Sequence, residues 1–294
     1  MRLWTRSRLA MAVLLAALAM PLSAQAVELP GPLVSAEWLN EHLDEESLVV
    51  VHVARDAYSF AEGHVSGARM LLWEDLVVSR DGVPNEMPSV EALTGLVRSL
   101  GIDRSNSIVI YDEGVGMLAT RAFLTFDYLG LGEQTALLDG HWNYWSSQPY
   151  PVGKGMQDVE PSSFEPEVNE SVLISMQRLE GILGEDGVQD EAIVLDNRPA
   201  RQYDKGWRVE GGILPGALNH DWQDYLQSKE MPLLVDRATL QAQFDKIGAG
   251  ASKPVVTYCV SGVQACYGYF IARYLDIPTQ VYDGSLSEWR RQHH

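Results

Sequence analysis

The feature that most constrains this chain is a unit of about 145 residues written twice. Ser107–Asp112 reads S-I-V-I-Y-D, a short buried-strand pattern. A glycine-containing loop follows it, then a helical stretch ending at Asp127-Tyr128-Leu129-Gly130. Pro254–Cys259 reads P-V-V-T-Y-C and is followed by the same succession, through Phe270-Ile271-Ala272-Arg273-Tyr274-Leu275. Leu138-Asp139-Gly140 with Trp145 then matches Tyr282-Asp283-Gly284 with Trp289, at identical spacing. Upstream, Leu48–Val53 runs into Ala54-Arg55-Asp56, and Glu191–Asp196 runs into Asn197-Arg198-Pro199. A glycine turn follows in each half, Gly63–Ala68 and Gly212–Ala217. Short apolar runs alternating with helical segments predict parallel α/β units.

The length of 294 residues suits two domains of ordinary size, and a hydrophobic content of 46% suffices for two cores. We place the first domain at 30–147 and the second at 169–294. The intervening 148–168 is a linker, since it is rich in Pro, Ser and Gly and lacks periodicity.

Residues 1–26 stand apart from both. Arg2, Arg6 and Arg8 precede the uncharged apolar run Leu9–Met20, Pro21 breaks it, and Ala24-Gln25-Ala26 offers small residues for cleavage before Val27. This is the pattern of a secretory signal peptide. The run is too short for a bilayer span, which needs about 20 apolar residues. The expected location is therefore the periplasm, with no membrane attachment after cleavage. The full chain is acidic, with 40 Asp and Glu against 22 Lys and Arg, and removal of Arg2, Arg6 and Arg8 makes the remainder more so; its field disfavours nucleic acid as a partner. Any anionic ligand must be held by local donors.

Cys259 and Cys266 are the two cysteines of the sequence. They cannot build a disulfide scaffold, and no Cys/His grouping has zinc-site spacing, so no metal or other cofactor is expected. Cys259 ends a β-prone run, and Cys266-Tyr267-Gly268-Tyr269-Phe270-Ile271 reads as the start of a helix. At such a junction successive loop N–H groups and the helix dipole favour thiolate, the reactive form. The crevice outside the carboxyl ends of parallel strands is also where ligands bind. A buried packing role remains the plainer alternative for either cysteine. For Cys266 packing is preferred over a disulfide to Cys259, which would close the nucleophile.

Cys259-Val260-Ser261-Gly262-Val263-Gln264-Ala265-Cys266 resembles the active-site loop of the tandem-domain rhodaneses, C-x-x-G-x-x-[AS], nearest to the C-G-[SA]-G-V-T-A-C form of the mercaptopyruvate type. Val281–Trp289 resembles V-Y-D-G-S-W-S-E-W, Val194–Arg198 with Tyr203 resembles L-L-D-x-R-x-x-x-[FY], and Gly63–Ala68 resembles G-H-I-P-G-A. The resemblance implies two rhodanese-like domains, each a mainly parallel sheet flanked by helices. The second is the active one, since Asp112 stands at the cysteine position of the first. It implies a sulfurtransferase in which Cys259 carries a persulfide from a small anionic sulfur donor to a thiol or cyanide acceptor. The N–H groups of Val260, Ser261, Gly262, Val263, Gln264 and Ala265 would stabilise the anion. Arg198 would bind the donor's anionic group. Arg201, Lys205 and Arg208 add nearby positive charge. Ser261, with His64 and Asp56, corresponds to a relay acting on a ketone donor. A loop hydrogen bond for Ser261 and a domain contact for His64 are the plainer alternatives. The Asp56 to His64 spacing is one residue shorter than the family's.

Two departures carry expectations of their own. Ile213 replaces the histidine of the second glycine turn. Val260 replaces a glycine beside the nucleophile and tolerates φ > 0 poorly, which predicts a reshaped loop and a more apolar pocket. A C-x5-R phosphatase is disfavoured because Gln264, Ala265 and Cys266 supply no arginine. The uncharged Val260–Val263 stretch favours 3-mercaptopyruvate over thiosulfate as donor. Thiosulfate:cyanide transfer, and a non-catalytic periplasmic persulfide carrier, are the alternatives.

Overall fold

The computed structural model describes residues 26–183, 191–204 and 212–293. The proposed signal peptide, apart from Ala26, lies outside them, as do Lys205 and Arg208. In the first half the strands Leu33–Val34, Thr135–Leu138, Ser107–Asp112, Leu48–Ala54 and Arg69–Leu72 form one parallel sheet in that spatial order. In the second half Thr279–Val281, Val255–Tyr258, Ile193–Asp196 and Leu218–Asn219 repeat the last four positions, again parallel. A parallel bridge from Leu173 to Val281 marks the place of the missing edge strand. Leu48–Ala54, Ser107–Asp112, Ile193–Asp196 and Val255–Tyr258 are buried along their whole length. Central strands of a sheet covered on both faces require this, which is why they read as unbroken apolar runs rather than as alternation.

Equivalent tyrosines pin equivalent turns. Val65 N–H donates to the Tyr111 hydroxyl at 2.8 Å, and Leu214 N–H donates to the Tyr258 hydroxyl at 3.2 Å. Each glycine turn is thereby fastened to the strand that precedes Asp112 or Cys259. The stretch expected to be linker first returns to the first domain, where Val152–Gly153 pairs antiparallel with His64–Val65. Residues 154–169 then run without regular structure across that domain's surface. Ser162 N–H bonds Arg98 O, and Asn169 N–H bonds Tyr128 O.

The two helices that follow the repeated loops, Met117–Tyr128 and Val263–Tyr274, pack against one another, with Phe123 meeting Phe270 edge to face at 5.0 Å. Leu118 through Asp127 are all buried, as are Ala265 through Ala272. Helices enclosed by sheet on one side and by a second domain on the other lose the polar face of a surface helix. The largest cluster of buried residues therefore runs continuously through both domains. The polar contacts follow the repeat: Asp283 accepts Met87 N–H at 2.7 Å, and Asp139 accepts Leu234 N–H at 2.9 Å. Each domain's Asp-Gly turn thus grips backbone of the other. No helix among the described residues is long and apolar enough to cross a membrane.

Candidate active site

Cys259 follows the strand Val255–Tyr258 directly, and Gly262 caps the helix that begins at Val263. Gly262 has φ 81°, and a Cβ there would lie 2.6 Å from the Asp283 carbonyl oxygen, so both backbone conformation and close approach demand glycine. Val260 is not among the residues with positive φ. Gly262 makes the left-handed turn instead, so the strain expected at Val260 does not arise, and its half-buried side chain stands beside the nucleophile.

Cys259 is 1% exposed, and its sulfur is approached by the N–H groups of Ala265, Ser261 and Gln264. These point inward because the loop's carbonyls are held from behind. Leu286 N–H donates to Cys259 O, and Ser287 donates to Val260 O through its N–H at 2.9 Å and its hydroxyl at 2.8 Å. The Ser285 hydroxyl accepts the N–H groups of Cys259 and Gly262, both at 3.1 Å, and donates to Tyr282 O. The D-G-S-x-S-E-W tail is therefore the clamp of the cysteine loop. The motif was visible in sequence, but its attachment was not.

The first domain contains the same cradle with its occupant built in. The Asp112 carboxylate accepts N–H groups from Gly114 and Gly116 on one oxygen and from Leu118 and Ala119 on the other, at 2.8–3.1 Å. That loop is one residue longer, so Gly114, Leu118 and Ala119 correspond to Ser261, Gln264 and Ala265. The repeated architecture is thus an anion-binding device. A carboxylate fills one copy permanently, and a sulfur stands in the other.

Burial pushes the Cys259 thiol up from its ordinary value. The N–H groups of Ala265, Ser261 and Gln264 act in the opposite sense, and Asp196 adds to the rise. Alkylation of Cys259 by iodoacetamide should keep accelerating with pH beyond the ordinary thiol range of about 8.5. A rate that levelled off below that point would contradict this account. Cys266 is also a free, buried thiol; it donates to Gly262 O at 3.2 Å, and burial pushes it up to about 12.

Arg198 is brought to the site, but not as an open fork. Both Asp196 oxygens receive its Nε, at 2.9 and 3.0 Å, and Nη2 reaches Asp196 at 2.5 Å and Gly212 O at 3.0 Å. Arg198 and Asp196 are both fully buried. Burial disfavours the guanidinium charge, but Asp196 more than reverses this, and Cys259 contributes in the same direction. Nη1 has no partner among the described residues. Arg201 is exposed on the helix Ala200–Asp204.

The expected relay is not assembled. His64 is buried, its Nδ1 bonds Phe60 O at 2.9 Å, and its ring stacks on Phe60 at 3.9 Å. Burial lowers its pKa, favouring neutral imidazole. Asp56 caps the helix Ala57–Glu62 by accepting Ser59 N–H. No hydrogen bond joins either residue to Ser261. Its hydroxyl instead accepts the Asn85 side-chain amide at 3.0 Å, from the other domain. Asn85 carried no sequence signal of its own. Among the described residues no group of His, Cys, Asp or Glu is arranged to hold a metal ion.

The sequence model of the rhodanese-like domain matches residues 35–148 and again 175–292. The chain belongs to the rhodanese family. Among curated relatives, the 3-mercaptopyruvate sulfurtransferase of Escherichia coli K12 is 26% identical over 87% of this chain and 94% of its own length. The thiosulfate sulfurtransferase of Gallus gallus is 28% identical over 87% and 92%. The crystal structure of SseA from Escherichia coli, described as a 3-mercaptopyruvate sulfotransferase with the rhodanese fold, superposes with a TM-score of 0.76 at 24% identity. It covers 87% of this chain and 98% of its own. Two tandem rhodanese domains are therefore present, the duplication as the repeat predicted and the family as the resemblance of its motifs implied.

Proposed function

We propose that this rhodanese is a sulfurtransferase that carries sulfane sulfur on Cys259, with 3-mercaptopyruvate as preferred donor. The observation that carries the reading is the ring of N–H groups around one buried sulfur, duplicated around a carboxylate in the first domain. Once Cys259 has lost its proton, its thiolate attacks the donor sulfur. The C–S bond breaks with its electron pair passing to carbon, giving the enolate of pyruvate, which takes up a proton. A persulfide remains, its charge held by the loop N–H groups. Cyanide or a thiol then takes the outer sulfur and returns the Cys259 thiolate.

The ketone donor is favoured over thiosulfate for two reasons. Loop residues 260–265 carry no cation, and Arg198 already has its Nε and Nη2 committed to Asp196 and Gly212 O. A monoanionic donor with a carbonyl suits one guanidinium edge and one serine hydroxyl better than a dianion does. The reaction is assigned to the periplasm on the strength of the Arg2 to Ala26 pattern. Comparing kcat/KM for 3-mercaptopyruvate and thiosulfate on the chain beginning at Val27, with cyanide as acceptor, tests the reading. A higher value for 3-mercaptopyruvate is expected. A preference for thiosulfate reverses the donor assignment, and turnover of neither removes the enzyme reading.

A further inference from the structure

We propose that Asn85 is the positioning residue for Ser261, and that the first domain thereby directs the Ser261 hydroxyl proton toward a ketone donor. This rests on the sulfurtransferase reading above. The Asn85 Nδ2 donates to Ser261 Oγ at 3.0 Å, across 176 residues of sequence and the domain boundary. A hydroxyl that accepts this bond keeps its own O–H to give elsewhere. No acceptor for that proton lies among the described residues, while Ser261 sits two positions from the nucleophile and gives it its backbone N–H.

The pairing is held from several sides. Asn85 lies in the strand Val83–Glu86 with φ 61°, a conformation that asparagine tolerates better than most residues. Its carbonyl accepts Arg121 Nη2 at 2.9 Å, and Arg121 also pairs with both oxygens of Asp283. Two residues on, Met87 N–H donates to the same Asp283. The Asp283 carbonyl lies directly against Gly262, so the segment bearing Asn85 and the loop bearing Ser261 are fastened to one turn. The amide neither takes up nor releases protons, so it orients the serine without relaying a proton through it.

The consequence depends on the donor. When 3-mercaptopyruvate loses its sulfur, charge develops on the ketone oxygen, where an oriented hydroxyl stabilises it. When thiosulfate loses its outer sulfur, sulfite leaves and no enolate forms. Steady-state kcat and KM with each donor and cyanide should therefore be measured for wild type, Asn85→Gly, Asn85→Asp, Ser261→Ala and Asn85→Gly/Ser261→Ala. Glycine retains the left-handed backbone without the amide. Aspartate retains the shape but makes both oxygens acceptors, drawing the serine proton away from the donor. Both single Asn85 variants should lose about 10- to 100-fold in kcat with 3-mercaptopyruvate, and the double variant should be no worse than Ser261→Ala. For the two single Asn85 variants, activity with thiosulfate should stay within about threefold of wild type, and it also serves as the check on folding. Equal losses on both donors, additive losses in the double variant, or an undiminished Asn85→Asp would each overturn the proposal. A wild type active on thiosulfate alone would overturn it together with the donor preference. Inactivity of the wild type on both donors would instead remove the sulfurtransferase reading.

Discussion

Cys259→Ser is expected to abolish sulfur loading altogether while leaving the fold in place. Wild-type protein incubated with donor should gain the mass of one sulfur atom and lose it again on addition of cyanide; the variant should gain none. Turnover should fall on the order of 10⁴-fold or more, since a hydroxyl at this site cannot hold sulfane sulfur. Asp112 fills the equivalent cradle of the first domain with a carboxylate that its own loop saturates. Cys266 has its S–H directed to Gly262 O and its thiol pushed up to about 12 by burial. Cys266→Ser should therefore still load sulfur. The fold should tolerate Cys259→Ser because the three N–H groups that face the sulfur can face a hydroxyl oxygen equally well. Intact-mass measurement decides the matter, and a loaded Cys259→Ser protein would disprove the assignment of the nucleophile.

The second large effect concerns Arg121. This side chain is fully buried, yet it bonds both oxygens of Asp283 and the carbonyl of Asn85, and its Nη1 lies 4.0 Å from the Cys266 sulfur. Burial alone would disfavour its charge, but Asp283 outweighs that cost. Arg121→Met leaves the Asp283 carboxylate, itself only 14% exposed, without its cation. Removing one partner of such a pair costs about 3–5 kcal/mol, more than the pair contributes relative to an apolar replacement. Arg121→Met/Asp283→Asn should accordingly be more stable than the sum of its single changes predicts. Arg121→Lys should recover little, because an ammonium cannot span two carboxylate oxygens and a carbonyl as a planar fork does. Urea unfolding midpoints measure all of these. A loss under about 1 kcal/mol for Arg121→Met would show that the pair behaves like a surface ion pair. The residue in the equivalent place of the second helix is Tyr267, whose hydroxyl lies near Gly116 as Arg121 Nη1 lies near Gly262. The repeat thus reuses one packing position for two chemistries, and only the copy beside Gly262 and Cys266 carries a charge.

The sequence by itself determined the duplicated α/β architecture and the position of one cysteine at a strand's carboxyl end. Both are written locally. Unbroken apolar runs such as Ser107–Asp112 mark strands covered on two faces, and a cysteine between a strand and a glycine-capped helix must stand at the strand's carboxyl end. Tertiary structure alone decided how the polar groups around that cysteine are used. A motif names Arg198 and Ser261 but does not say what faces them. Arg198 has its Nε and Nη2 claimed by Asp196 and Gly212 O, and Ser261 meets Asn85 rather than His64, which is turned onto Phe60. The physical reason is that burying an apolar residue needs only a face, and a face is periodic in sequence. A buried polar group needs a particular partner at hydrogen-bonding distance, and that partner can come from anywhere in the chain.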